Sequence, residues 1–188
     1  MRVTVYGGTN NKYYTEKEIG ECEKLGNWLA ENKIELLTGA CKGMPYFIGR
    51  AATKSGGRVI GYTPAINEKE HIEKYDFPMD GVSEMVYNKK QYSTMAENFL
   101  IRSWEMTPFS DVVIALGGSW GTYSELMFSF FAKKTIIVVE GFEGAGKAFL
   151  NTHKFFDERD YNPDVHLGMK IYKVKDISGA IEKIKQLK

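Results

Sequence analysis

Gly117-Gly118-Ser119-Trp120-Gly121-Thr122, followed shortly by Glu125, concentrates the most chemistry in the fewest residues of this sequence. Glycine tolerates positive φ and lets a backbone approach a ligand closely. A helix opening on such a loop aims unpaired N–H groups and the positive end of its dipole at whatever sits there, which suits a phosphate or a ribose. Two further small-residue loops, Gly7-Gly8-Thr9-Asn10 and Gly39-Ala40-Cys41-Lys42-Gly43, have the same property. One such loop reads as an ordinary turn. Three at the same edge of a sheet would form a cradle, and its candidate binding residues are Gly8, Thr9, Gly39, Gly43, Gly118, Ser119, Gly121 and Thr122.

Two charged residues accompany the loops. Thr122-Tyr123-Ser124-Glu125 has the spacing of a capping box, in which Glu125 would reach back to the Thr122 N–H. Spacing alone favours that cap, and the alternative is that the carboxylate faces a ligand. Arg102 falls on one helical stripe with Met95, Phe99 and Met106. A guanidinium in an apolar stripe must snorkel to water or find an anion, because burying it unpaired is costly. Its partner would be a structural carboxylate, Glu125, or a ligand phosphate. The stretch Gly141-Phe142-Glu143-Gly144-Ala145-Gly146-Lys147-Ala148 nearly fits GxxxxGK[ST]. Ala148 stands where the magnesium-binding hydroxyl is needed, and no acidic Walker-B strand follows, so a nucleoside-triphosphatase P-loop is disfavoured.

The elements that must position these residues alternate between strand and helix. Strands are expected at 3–6, 34–37, 58–62, 84–87, 111–116, 135–139 and 171–174. Helices are expected at 15–32, 45–55, 93–109, 122–132, 147–156 and 177–188. The polar stretch 63–88 reads as a surface excursion around its short strand. Asp111-Val112-Val113-Ile114-Ala115-Leu116 is apolar on both faces, as a strand inside a parallel sheet must be. The alternation predicts a Rossmann-like, doubly wound, mainly parallel α/β sheet flanked by helices, in a single domain over residues 1–188. In such sheets ligands bind beyond the carboxyl ends of the strands, where the three loops would lie.

Composition narrows the function classes. The chain is 43% hydrophobic and 26% charged, with a net charge of +1, so no global field favours nucleic acid or an anionic membrane. Cys22 and Cys41 form no CxxC pair. His71, His153 and His166 stand apart, so no metal site is expected. No apolar run approaches the ~20 residues that span a bilayer. Residues 1–6 read as a strand rather than a leader, and a cytoplasmic protein is expected.

Arg102, Met106, Ser110-Asp111, Ile114-Ala115-Leu116 and Gly118-Ser119-Trp120-Gly121-Thr122-Tyr123-Ser124-Glu125 together resemble the Arg-Lys … PGGxGTxxE signature of the LONELY GUY family. That family comprises cytokinin-activating phosphoribohydrolases and proteins mislabelled "lysine decarboxylase". The resemblance continues through Val5-Tyr6-Gly7-Gly8, Leu37-Thr38-Gly39, Gly43-Met44 and Gly56-Gly57-Arg58-Val59-Ile60-Gly61, and adds Met44 to the candidate site. It implies hydrolysis of the N-glycosidic bond of a purine nucleoside 5′-monophosphate, releasing free base and ribose 5-phosphate. Arg102 and Glu125 would match the catalytic arginine and glutamate, and Gly118, Gly121 and Thr122 the phosphate loop. Neither metal nor cofactor is implied. A homodimer is, often with helix residues near Arg102 at its interface; the stretch 127–131, apolar nearly all round, suits a helix buried by core and partner alike or one buried in the monomer core.

Several positions depart from that signature. Ser103 stands where the family has lysine, Phe99 where a histidine is common and Asn98 where a methionine is. Gly117 replaces proline, Ser119 the second glycine, and Pro45 a methionine. An alternative reading is therefore a non-catalytic protein that binds or carries a nucleotide or nucleotide-like cofactor, and base-exchange chemistry is a third. Lysine decarboxylation is rejected, since no lysine has a recognisable pyridoxal phosphate context.

Overall fold

The computed structural model describes residues 1–9, 14–157 and 170–188; Asn10 of the first loop and His166 lie outside them. Seven strands form one sheet: β1 (Arg2–Gly7), β2 (Glu35–Thr38), β3 (Val59–Thr63), β4 (Glu84–Tyr87), β5 (Val112–Leu116), β6 (Thr135–Val139) and β7 (Ile171–Val174). The order is β4-β3-β2-β1-β5-β6-β7, and every pairing is parallel. The expected Rossmann-like, doubly wound α/β architecture is what the chain adopts, and its sheet is parallel throughout.

The helices are α1 (Glu16–Glu31), α2 (Met44–Lys54), α3 (Glu68–Glu73), α4 (Met95–Met106), α5 (Trp120–Phe131), α6 (Ala145–Asp157) and α7 (Ile177–Leu187). Side chains alternate between sheet faces with period two, and both faces are covered. Val3, Val5, Ile114, Leu116, Ile137 and Val139 pack with Leu25, Leu29, Ile48 and Ile181 of α1, α2 and α7. Tyr6, Val113, Ala115, Ile136 and Val138 pack with Met106, Leu126, Phe130 and Phe149 of α4, α5 and α6. Burial on both sides explains why the β5 and β6 sequences lack polar alternation.

From β1 the chain runs outward to β4, returns through α4, and resumes at β5 on the other side of β1. β1 and β5 pair over Val3↔Val112 to Gly7↔Leu116, so their following loops diverge from a shared edge. That is the topological switch point, where an open α/β sheet leaves a crevice.

The largest departure from expectation is α3, inside the stretch read as an excursion. Its N-cap Asn67 accepts from the Glu70 N–H. His71 is buried there, with Nδ1 2.8 Å from the Thr63 hydroxyl and Nε2 3.4 Å from the Pro78 carbonyl. Burial lowers its pKa, so it is a neutral core histidine. Helix α5 starts at Trp120, with Ser119 as N-cap. Thr122 is therefore already helical, and Glu125, a turn further on, forms no capping box. The Thr122 hydroxyl instead donates to the Gly7 carbonyl at 3.2 Å, tying α5 to β1.

Gly26 shows how tightly the α1/α2 layer is set. A Cβ there would lie 2.2 Å from the Ile48 carbonyl oxygen and 2.9 Å from the Ala51 Cβ. Helix propensity favours alanine by about 1 kcal/mol, but two backbones would have to separate to admit it. Gly26→Ala is expected to cost about 1–3 kcal/mol net, read as a lower denaturant midpoint at unchanged m-value.

Candidate functional site

The three small-residue loops meet at the switch point. Gly8 donates its N–H to the Leu116 carbonyl and accepts from the Met44 N–H at 3.0 Å. Gly43 has φ +94°, and a Cβ there would lie 2.1 Å from the Gly8 carbonyl oxygen, so the first two loops interlock through glycine. After β5, Gly117 and Gly118 have φ of +61° and +85°, and the Gly118 carbonyl accepts from the Ala145 N–H at 2.9 Å. Ser119 makes no side-chain capping bond. The first-turn N–H groups of α5 have no acceptor within the helix, so they offer an anion a positive end beside Ser119, Gly121 and Thr122.

These loops border a cleft of about 330 Å³. Gly8, Thr9, Gly39, Ser119, Gly121, Thr122, Arg102 and Glu125 all line it. Gly43, Met44 and Gly118 do not; they lie behind the lining and hold the loops in place. Phe77, Phe99, Leu100 and Pro45 give the cleft an apolar wall, and Tyr6, Cys41 and Ser103 contribute to it as well. None of these seven was a candidate. Ser103 had a usable signal, because it neighbours Arg102 on the same buried helix. Phe77 had none, since only the tertiary path of the β3–β4 connection brings it there.

Helix α4 starts in a capping box, Thr94 with Glu97, and buries Asn98, Arg102, Ser103 and Met106. Met95, expected on that stripe, is exposed instead. Arg102 is only 5% exposed yet poorly satisfied. Its Nη1 donates to the Tyr62 carbonyl at 3.5 Å, its Nη2 stands 3.7 Å from Glu125 Oε1, and its Nε has no hydrogen-bond partner among the described residues. A guanidinium carries five donors in a fixed fork, so long contacts and an orphaned donor leave capacity for an anion. The Phe99 ring lies 5.7 Å from it. Gly39 makes room for it, as a Cβ there would fall 1.6 Å from Nη1.

Glu125 lies beside Arg102, its side chain 13% exposed. The Ser103 hydroxyl donates to Oε1 at 2.9 Å. Burial pushes the Glu125 pKa up, and the Arg102 charge and Ser103 hydrogen bond offset this only in part. The Tyr6 hydroxyl, 3.1 Å from Thr107 Oγ1, is pushed well above the ordinary phenol range by burial and by the Glu125 charge. Burial likewise raises the Cys41 thiol, and Arg102 opposes it. The cleft thus brings together one buried guanidinium, the first turn of α5 and a carboxyl whose pKa burial raises.

The near-P-loop segment has a structural job. Gly144, at φ +127°, packs so closely that its Cβ would lie 2.2 Å from the Gly118 carbonyl oxygen, and it buttresses the glycine loop. Lys147 pairs with Glu143. Among the described residues no group of three His, Cys, Asp or Glu side chains could hold a metal ion, and no helix is long and apolar enough to cross a membrane.

Fold and site together define a Rossmann-like α/β protein with its cleft at the switch point of a parallel sheet. The chain belongs to the SLOG cluster4 family, whose model matches residues 1–169. This family falls in the superfamily that also includes LONELY GUY-like proteins, so the sequence resemblance holds at that level. No curated protein matches the sequence significantly. Among solved structures, the structural-genomics target TM1055 is 20% identical, with 98% of each chain covered and a TM-score of 0.77. The molybdenum cofactor binding protein from the phototrophic bacterium Rippkaea orientalis is 22% identical, covering 99% of this chain and 96% of that one, with a TM-score of 0.71. DNA processing protein A from Helicobacter pylori, described as binding single-stranded DNA, is 15% identical, with coverage of 99% and 80% and a TM-score of 0.68. At these identities the likeness is one of fold.

Proposed function

We propose that the cleft binds a phosphorylated nucleotide or nucleotide-like cofactor, and that the protein acts as a binder or carrier of it. The observation that carries this reading is Arg102, a buried guanidinium whose Nε has no hydrogen-bond partner among the described residues and whose contacts to Tyr62 and Glu125 are long. A phosphate at the α5 N-terminus, within reach of Arg102, would satisfy both, and a planar ring would lie against Phe77 and Phe99. The solved relative that binds the molybdenum cofactor supports a ligand of this class. A net charge of +1 and a cleft of about 330 Å³ favour a small molecule over nucleic acid.

A second reading, phosphoribohydrolase, is favoured by Glu125, whose carboxyl is fixed by Ser103 on the cleft wall. There it could stabilise oxocarbenium character at the ribose and orient a water. Incubating the protein with AMP and N6-substituted AMPs separates the two. Binding without release of base is the expected result, and rapid release would replace the carrier reading with the hydrolase one. In that event Glu125→Gln should lower turnover by about 10²–10⁴-fold.

Glu125→Gln also has a pH signature. The folded-state pKa lies above the ordinary 4.5, so the folded protein holds this proton more tightly than the unfolded chain does. That stabilisation is complete below about 4.5 and is lost as pH rises through the raised value. Relative to the glutamine variant, the wild type should therefore lose stability over that window and then level off, in unfolding curves recorded across pH.

A homodimer is proposed as well. Leu100 and Trp104 on α4 and Phe131 on α5 are exposed, and Trp104 meets Phe128 edge-on at 5.5 Å. Exposed apolar side chains on two neighbouring helices are of the kind that partners cover. Light scattering should give twice the 21.3 kDa chain mass, and Trp104→Arg should return it to the monomer value.

A further inference from the structure

The α5 N-terminus borders a second cleft, and we infer that this cleft takes a second planar ring, so that the ligand is two-ended with its phosphates over the start of α5. The inference rests on the nucleotide-binding reading of the first cleft and extends it. The second cleft, of about 410 Å³, is lined by Ser119, Trp120, Tyr123, Ala145, Ala148 and Thr152. Ser119 also lines the first, so the two flank one residue at the helix cap. Among the described residues no charged side chain lines the second cleft, whereas Arg102 and Glu125 line the first.

Trp120 stands at its rim, 86% exposed, well above any other large apolar side chain described. Its ring meets Tyr123 edge-on at 6.5 Å, and Tyr123 is backed by Phe149 at 6.2 Å, so an aromatic surface is held in place with its outer side open to water. Ala145 and Ala148 keep the adjoining wall low. Ala148 is the residue that spoils the P-loop pattern, and here its small side chain leaves the space open. The cost of leaving an indole in water is offset when a flat ring stacks on it. Small-molecule pockets run about 300–1,000 Å³, and each cleft alone is at the small end of that range. Together they suit two rings joined by a diphosphate, the diphosphate meeting the unpaired N–H groups of α5.

Calorimetry with AMP and with diadenosine diphosphate, on the wild type, Trp120→Ala and Trp120→Phe, tests this. Diadenosine diphosphate should bind the wild type about tenfold or more tightly than AMP, the scale of one base stacked on one aromatic ring. Trp120→Ala should bring the ratio of the two affinities close to one, while Trp120→Phe restores most of the advantage. Equal affinity for the two ligands in the wild type, with AMP binding intact, would overturn the two-ended ligand alone. So would a Trp120→Ala variant that changes only the oligomeric mass, which would assign Trp120 to a partner surface. Failure of both ligands to bind would overturn this inference together with the reading beneath it.

Discussion

Arg102→Met is expected to weaken AMP binding by at least about thirtyfold, the loss typical when one partner of a buried, hydrogen-bonded charge pair is removed. Methionine keeps the apolar stem against Phe99 while removing every donor. Arg102 sits 5% exposed, so a phosphate reaching it would leave water and depend on it heavily. Among the described residues no other cation lines the cleft. Helix-terminal N–H groups would then act alone, and they contribute less than a charge-assisted fork. Glu125 would lose its neighbouring cation at the same time and hold its proton still more firmly. Titration calorimetry at constant ionic strength checks the affinity. Arg102→Lys should recover little, because a point charge does not replace a planar fork.

Gly39→Ala is expected to reduce binding nearly as far, although alanine touches no ligand. Its methyl would fall 1.6 Å from Arg102 Nη1 and 2.7 Å from Cζ. The obstacle is the far end of a flexible side chain, so the guanidinium gives way and the backbone stays. Thermal unfolding should shift only slightly, since the long contacts of Arg102 to Tyr62 and Glu125 stabilise little. AMP affinity should fall by about tenfold or more, as a misplaced guanidinium cannot keep its geometry on the phosphate. Gly121→Ala is the control: a Cβ there meets nothing within 4 Å, so binding should change far less unless the phosphate itself lies against that position.

Much of this arrangement is legible in the chain because its elements are strongly patterned. β5 and β6 announce themselves as short apolar runs, and the alternation of strands and helices determines a parallel sheet. The three loops share an edge because every strand runs the same way. What escaped reading was set by tertiary context. Helix α3 is six residues long, too short for periodicity to show, and only Asn67 with Glu70 marked its start. The capping box at Thr122 was plausible locally, but Ser119 took the cap and Thr122 was drawn to the Gly7 carbonyl across the switch point. Ser103 looked like a loss, a serine where a relative would have lysine. In place, it holds the Glu125 carboxyl at 2.9 Å. Phe77 lies in the β3–β4 connection, with no pattern of its own to foretell that it would reach the cleft.

The central claim is that Arg102 and the start of α5 hold a phosphate together. A crystal structure of the protein with millimolar AMP tests this most directly. Phosphate oxygens are expected within about 3 Å of the N–H groups at residues 120–122 and of the Arg102 guanidinium, with the Arg102–Glu125 separation of 3.7 Å opening further. An AMP phosphate bound elsewhere, or an empty cleft in which Arg102 closes onto Glu125, would contradict it.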